Sequence, residues 1–122
     1  MYFKFDPLID THTHLYVEAF DKDRDLTIQN AISKGITGFY VPAIDSGYHE
    51  KMFDLETNYP RQVHLMMGLH PTHVKENFKE ELDLVKVQLS KRNFSAVGEI
   101  GIDLYWDKSH YDKQQQAFDL QI

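Results

Sequence analysis

Short apolar runs alternate with longer segments of helical periodicity four times along this sequence. The apolar runs, which are typical of strands, occupy 8–14, 36–41, 63–69 and 95–100. Helical spacing occupies 48–59, 80–91 and 113–122, and a further helix is predicted between a cap at Asp23 or Asp25 and the terminator Gly35. Strands that alternate with helices through short connections predict a parallel sheet of right-handed βαβ units.

Four such units are half of a (β/α)8 barrel, which typically needs about 250 residues. We therefore expect an α/β fold of the TIM-barrel type, of which this chain of 122 residues holds roughly the first four βα units, with 1–122 as a single domain. The run 63–69 is apolar enough to be covered on both faces. A doubly wound open sheet is disfavoured because no glycine-rich phosphate loop follows the first predicted strand.

The first predicted strand ends in two histidines. Side chains alternate between the faces of a strand, so His12 and His14 are expected to share a face, with Thr11 and Thr13 on the other. Two imidazoles on one face can bind one divalent metal ion. Asp10 falls on the histidine side and is expected to orient an imidazole as a hydrogen-bond acceptor.

Other polar residues follow the later predicted strands. His70 follows the third strand, and Glu99 and Asp103 lie at or just after the fourth. The carboxyl ends of barrel strands carry the active site in this class of fold. Glu99 lies in the apolar sequence Val97-Gly98-Glu99-Ile100-Gly101, where a metal ion would offset the cost of burying its charge.

Several residues have an alternative interpretation. Glu99 could instead pair with a Lys or Arg, and His70 could have a structural rather than a substrate-binding role. Tyr105 and Trp106 could line a pocket for a base or sugar, or pack in the core. The remaining histidines are expected at the surface or with satisfied hydrogen bonds: His49, His64, His73 and His110.

The composition excludes some classes of site and partner. Without cysteine, any metal ion must be bound by histidine and carboxylate. The net charge of −6 argues against a large basic surface for nucleic acid but allows a phosphate substrate held by metal ions. The sequence contains no apolar run of membrane-spanning length, and its start is too short and charged for a signal peptide, so a cytoplasmic protein without a membrane partner is expected.

Three motifs together resemble the TatD-type deoxyribonucleases of the amidohydrolase superfamily. They are Asp10-Thr11-His12-Thr13-His14, Gly68-Leu69-His70-Pro71 and Val97-Gly98-Glu99-Ile100-Gly101-Ile102-Asp103. The first is shared by many metal hydrolases, whereas the Gly-Glu-Ile-Gly-Ile-Asp string is highly specific. The segment 114–121, with Phe118, is similar to the helix that follows in the family.

The resemblance implies a TIM-like barrel that uses one or two divalent ions (Zn, Mg or Mn) to cleave phosphodiester bonds of DNA or oligonucleotides. It implies that His12 and His14 bind one metal, and that Glu99, the catalytic carboxylate, binds it or bridges to a second. His70 and Asp103 would position the phosphate or hold a ligand from behind. The family completes its site with two later histidines and a late aspartate, from strands that this sequence does not contain.

Other functions remain as alternatives. The two-histidine strand also serves amidases, lactonases and deaminases of the superfamily. Phosphatases of the polymerase and histidinol phosphatase type use an early His-x-His strand too, but they show no counterpart of the Gly-Glu-Ile-Gly-Ile-Asp string. Alternatively, the chain is an inactive truncated fragment. Half a barrel leaves strand edges unpaired, so self-association of the chain is a further expectation.

Overall fold

The computed structural model describes residues 6–122, and its sheet has four parallel strands in the order β1-β2-β3-β4. The strands are β1 (Leu8–Asp10), β2 (Ile36–Val41), β3 (Val63–Met67) and β4 (Ala96–Val97). The helices are α1 (Arg24–Ser33), α2 (His49–Asn58), α3 (Phe78–Lys91) and α4 (Tyr111–Gln121). Sequential strands are neighbours in the sheet and a helix follows each one, so the predicted α/β half-barrel is confirmed.

The core lies between the sheet and its helices. Alternate residues of β3 are buried on the helix side, while His64 and Met66 on the other face are half-buried. The helix α2 contributes Met52 and Leu55, followed by Tyr59, which is the face predicted from the helical spacing. The prediction that β3 is covered on both faces therefore holds for the helix side and only in part for the barrel-interior face, which has no second layer within the described residues.

The strand β1 is shorter than predicted and does not contain the two histidines. It ends at Asp10, whose Oδ1 accepts a hydrogen bond from the backbone N–H of His12 (3.1 Å). A side chain that bonds to the backbone two residues ahead forms a turn, which competes with the strand ladder. Thr11 follows as an exposed residue and does not pack against the helices.

The strand β4 is also shorter than predicted, with two exposed residues. After Val97, the Gly98 N–H still donates to the Met67 carbonyl of β3 (3.0 Å), and the backbone of Gly98 and Glu99 then exchanges hydrogen bonds with Ala43, beyond β2. Both edge strands of the sheet expose apolar side chains, including Leu8 (54% exposed) in β1 and Val97 (39% exposed) in β4.

The ends of the first helix agree partly with the prediction. Asp23 occupies the N-cap position of α1 but makes no capping hydrogen bond through its side chain. Gly35 follows the helix with a φ of +102°, a conformation that glycine adopts readily. Within residues 6–122, every helix is too short or too polar to cross a membrane.

Candidate metal centre

Backbone hydrogen bonds join the segments that follow β2 and β4. The Ala43 N–H donates to the Gly98 carbonyl (3.0 Å), and the Ala43 carbonyl accepts from the Glu99 N–H (3.2 Å). The peptide bond between Gly98 and Glu99 is cis. This pairing holds the backbone of Glu99 at the carboxyl end of the sheet. The segment that follows β1 begins at the same end.

Gly68, the residue after β3, allows the segments that follow β3 and β4 to come into direct backbone contact. A Cβ atom at Gly68 would lie 3.0 Å from the carbonyl carbon of Gly98 and 3.1 Å from the carbonyl oxygen of Glu99. Because both contacts are with backbone, no side-chain movement could relieve them. A larger residue here would therefore have to shift the backbone that carries the Glu99 carboxylate by a few tenths of an ångström.

Three side-chain atoms from the first and fourth βα units form a compact triangle, here called the His–His–Glu triangle. His12 Nε2 lies 3.3 Å from His14 Nε2 and 3.1 Å from Glu99 Oε2, and His14 Nε2 lies 3.2 Å from the same oxygen. The side chain of His12 is 54% exposed, whereas His14 and Glu99 are each 24% exposed. One side of the triangle is therefore open to solvent and the other is embedded.

The tautomer of His14 follows from its buried neighbour Tyr16. The Tyr16 hydroxyl donates its single proton to the Pro42 carbonyl (2.7 Å), so it can only accept from His14 Nδ1 (3.0 Å). His14 Nδ1 therefore carries a proton, and neutral His14 presents a bare lone pair on Nε2 to the triangle. Burial lowers the pKa of His14, against the opposing charge of Glu99, and so favours this neutral form.

His70 has the opposite tautomer and binds the other oxygen of Glu99. Its Nδ1 accepts from the backbone N–H of Thr72 (3.1 Å) and lies 2.8 Å from the Thr72 hydroxyl. The proton of neutral His70 is therefore on Nε2, which donates to Glu99 Oε1 (3.1 Å). Burial lowers the pKa of His70 as well. His70 thus holds Oε1 and leaves Oε2 directed toward the two other histidines.

Comparison with known protein families decides the classification. The family described as TatD related DNase matches residues 9–122. The chain belongs to this family. The match extends over all four βα units, so the resemblance inferred from the three motifs is confirmed.

Individual relatives agree with this TatD-family assignment. The uncharacterized metal-dependent hydrolase YjjV of Escherichia coli K12 is 31% identical over 116 residues, which is 93% of this chain and 44% of YjjV. The uncharacterized metal-dependent hydrolase YabD of Bacillus subtilis is 30% identical over 94% of this chain and 45% of its own length. The 3'-5' ssDNA/RNA exonuclease TatD of Pantoea ananatis is 26% identical over 94% of this chain and 44% of its own length.

The fold agrees with a solved TatD homologue as well. The crystal structure of YjjV from E. coli matches this chain with a TM-score of 0.83 over 93% of the chain and 44% of YjjV. The chain thus spans less than half of the length of the relatives that it matches. Four parallel strands correspond to part of the TatD TIM barrel.

Two of the predicted site residues of this TatD-family chain accept hydrogen bonds from backbone N–H groups and not from an imidazole. Asp10 accepts from the backbone of His12, so it supports the turn that carries this histidine rather than an imidazole ring. Asp103 lies in the loop after β4, where its Oδ1 accepts from the backbone N–H of Tyr105 (3.0 Å). The charge of Asp103 still acts on His70, whose pKa it raises slightly against the effect of burial.

Three of the remaining histidines, which are predicted at the surface or with satisfied hydrogen bonds, lie away from the triangle. His64 stacks on Tyr40, with ring centroids 4.9 Å apart, and the Nδ1 of His73 lies 2.7 Å from Asp45 Oδ2. His49 is buried (6% exposed), and its Nε2 has no hydrogen-bond partner among the described residues. The prediction of a surface or satisfied histidine is therefore wrong for His49.

Sequence reasoning did not identify Tyr16 and Thr72, the two residues that set the proton positions of His14 and His70. Each lies two residues after the histidine that it contacts. A hydroxyl residue two positions after a predicted ligand is a usable signal, because a side chain at that distance can reach an imidazole Nδ1.

Proposed function

We propose that the protein is a metal-dependent hydrolase that cleaves phosphodiester bonds of DNA, with His12, His14 and Glu99 as metal ligands. The observation that carries this proposal is the contact of 3.2 Å between His14 Nε2 and Glu99 Oε2. With neutral His14, both atoms are hydrogen-bond acceptors, and two acceptors in contact repel each other. A cation between them converts this repulsion into attraction, and these three residues form the one such cluster among residues 6–122.

The dimensions of the triangle suit a tetrahedral metal ion. Ligand atoms bound at about 2.1 Å in a tetrahedral site lie about 3.4 Å from one another. The three separations here are 3.1, 3.2 and 3.3 Å, so the triangle has the size of one face of such a tetrahedron. Two imidazoles and a carboxylate suit Zn or Mn better than Mg, which prefers oxygen ligands.

The residues of this chain would have different roles around one divalent ion, or around the first of two ions. A bound ion supplies Lewis acidity and a water of lowered pKa for attack on phosphorus. His14 and Glu99 would hold the embedded side of the site, and the more exposed His12 would face an approaching substrate. His70 fixes the rotamer of Glu99, which is a positioning role.

DNA or an oligonucleotide is the proposed substrate. Support comes from the family match and from the relatives named as ssDNA/RNA exonucleases. The acidic chain, with a net charge of −6, fits a small site in which metal ions rather than a basic groove attract the phosphate. We further propose that residues 1–122 form the N-terminal half of the hydrolase barrel.

Replacing Glu99 with Gln tests the proposal, with Glu56→Gln as the matched control. The control carboxylate has a similar exposure (29% against 24%) and is also paired, with Arg92, but it lies on α2. Calorimetric titration with Zn²⁺ and Mn²⁺ should show metal affinity reduced about 100-fold or more in Glu99→Gln, together with loss of cleavage of an end-labelled oligonucleotide. The control should bind and cleave normally.

Two outcomes would contradict the proposal. Normal metal binding and turnover in Glu99→Gln would make Glu99 structural. Metal-dependent hydrolysis of amide, lactone or amine substrates without cleavage of phosphodiesters would instead indicate another reaction of the amidohydrolase superfamily.

A further inference from the structure

Two adjacent aromatic side chains project into solvent from the loop that follows β4. Tyr105 is 81% exposed and Trp106 is 79% exposed, and their rings meet edge to face with centroids 4.7 Å apart. Core packing, one of the two interpretations of these residues, therefore does not occur within the described part of the chain. Exposing this much aromatic surface is unfavourable unless the surface has a partner.

The loop that carries the aromatic pair is anchored to α4 at its start and contains a hydrogen-bonded turn further along. At its start, Asp103 donates its backbone N–H to Gln114 Oε1 (2.8 Å), and its carbonyl accepts from Gln114 Nε2 (2.9 Å). Gln114 itself is buried, at 3% exposure. Further along, Asp107 Oδ1 accepts from the backbone N–H of Ser109 (2.8 Å). The rings are thus presented from a braced segment, which lowers the entropy lost when a ligand binds them.

The aromatic pair is on the same side of the sheet as the His–His–Glu triangle. Glu99 lies near the start of the loop that carries the pair. Trp106 and Thr72 line one cavity of about 70 Å³, and Thr72 bonds to His70, which in turn holds Glu99. A strand of nucleic acid whose phosphate lies at the triangle can place a neighbouring base at the pair.

The surroundings of the pair suit a nucleobase better than an apolar protein surface. Asp107, Lys108 and Ser109 follow directly and are exposed, so the aromatic surface is small and bordered by polar groups. Lys75 lines the same cavity beside the carboxylates of Asp103 and Asp107, and its ammonium is the group there that can attract a phosphate. Every base has a flat face that stacks on an aromatic ring, and stacking requires that the base be unpaired.

We propose that Tyr105 and Trp106 form a stacking platform for an unpaired base of the substrate. The inference rests on the proposed function for the nature of the ligand. It adds a specificity-determining pair outside the three proposed metal ligands and explains how binding can be strong without a basic groove.

The test uses the fluorescence of Trp106, the one tryptophan of this chain. The probe is a phosphorothioate-linked (dT)8 strand, which resists cleavage, added to the metal-loaded protein; a Trp106→Phe variant gives the background emission. We expect saturable quenching of the Trp106 emission by (dT)8, and little quenching by the complementary duplex or by an abasic strand with the same backbone.

Tyr105→Ala measures the contribution of stacking, with Tyr111→Ala as the matched control. Tyr111 is a partly exposed tyrosine at the start of α4, outside the pair. The affinity for (dT)8, measured by fluorescence anisotropy of a labelled strand, should fall about 5- to 150-fold in Tyr105→Ala and remain unchanged in the control. For a cleavable oligonucleotide, KM should rise more than kcat falls.

Three results would overturn the inference. They are equal quenching by abasic and base-carrying strands, equal affinities of the two tyrosine variants, and Trp106 emission typical of a buried indole in the free protein. Hydrolysis of bis(p-nitrophenyl) phosphate, which has no base, is measured in parallel on the unmodified protein. If the protein hydrolyses neither bis(p-nitrophenyl) phosphate nor oligonucleotides, the result counts against the proposed function. If it hydrolyses bis(p-nitrophenyl) phosphate normally but gives any of the three results, the stacking platform alone is contradicted.

Discussion

Hydroxyl and backbone groups outside the His–His–Glu triangle determine where the protons of its histidines lie. Tyr16 forces the proton of His14 onto Nδ1, and Thr72 forces that of His70 onto Nε2. The first histidine therefore presents an acceptor to the site and the second a donor. Two chemically identical rings acquire different roles through one hydrogen bond each.

Tyr16→Phe should weaken metal binding while leaving the three proposed ligands in place. The variant removes the acceptor for His14 Nδ1–H and leaves the Pro42 carbonyl unpaired. We expect a metal affinity about 10- to 100-fold lower by calorimetric titration, and a loss of about 1–3 kcal/mol in the free energy of unfolding.

Tyr59→Phe is the control for that experiment. Tyr59 is also buried, and its hydroxyl donates to Asp25 (2.8 Å) away from the triangle. It should lose stability without losing metal affinity. If both variants bind metal equally well, Tyr16 does not orient His14.

His49 should make the folded state less stable in mild acid. Burial lowers the pKa of His49, and Glu81 and Asp45 oppose this effect only in part. Below its unfolded pKa of about 6.5, the unfolded chain therefore binds more protons than the folded one, and stability falls as the pH falls. Above that pH the effect is absent.

The measurement is urea unfolding at pH 7.5 and pH 5.5, for the natural chain and for His49→Phe. Because His49 Nε2 has no partner among the described residues, the variant should fold, and it should lose less stability between the two pH values. One proton accounts for at most about 1.4 kcal/mol per pH unit. The same loss in both proteins would assign the acid sensitivity to other groups.

At the scale of the elements, close approach of β3 and β4 delivers Glu99 to the histidines. The approach depends on Gly68, because a side chain there would meet the backbone of Gly98 and Glu99. On the other side, α4 braces two loops through buried or half-buried glutamines. Gln114 holds Asp103, and Gln121 Oε1 accepts from the backbone N–H of Leu69 (2.8 Å).

Gly68→Ala should displace the carboxylate and reduce metal affinity. The added methyl group would lie 3.0–3.1 Å from backbone atoms that cannot rotate away, and such overpacking costs about 1–3 kcal/mol of stability. Calorimetric metal titration and thermal unfolding would measure the two effects.

Gly38→Ala provides the comparison. Its methyl group would meet the end of the Ile9 side chain at 3.2 Å, and this side chain can move. We expect a smaller loss of stability and normal metal binding in that variant. Equal metal affinities in the two variants would show that the approach at Gly68 does not position Glu99.

At the scale of the whole molecule, the sheet is a half-barrel with two edge strands and an exposed apolar border. Leu8, Ile9 and Val97 lie on the edge strands, and Leu120 and Ile122 extend the border along the end of α4 (71% and 80% exposed). Unpaired edges and apolar borders of this kind are surfaces for pairing with further chain.

The 122-residue chain by itself should therefore self-associate. Size-exclusion chromatography with light scattering should give a mass above 14.4 kDa, and Leu120→Lys should shift the population toward the monomer. Leu26→Lys is the control, since Leu26 is similarly exposed (64%) but lies on α1. A monomer of the natural chain at micromolar concentration would disprove this prediction.

The order of strands and helices, the parallel half-barrel and the family follow from the sequence alone. Hydrophobic periodicity is a property of the local sequence, so it predicts the strands and helices. Residues at the carboxyl ends of successive parallel strands meet at one edge of the sheet. For the same reason, His12, His14, His70 and Glu99 could be predicted to gather at one place, and the structure brings them together.

Only the tertiary structure determines the lengths of β1 and β4, the backbone roles of Asp10 and Asp103, and the contacts of Tyr16. Each depends on hydrogen bonds that compete with a regular ladder or join residues far apart in sequence, as in the bond from Tyr16 to Pro42. Local propensity contains no information about such partners. The burial of His49 and the exposure of Tyr105 and Trp106 likewise depend on which elements cover them.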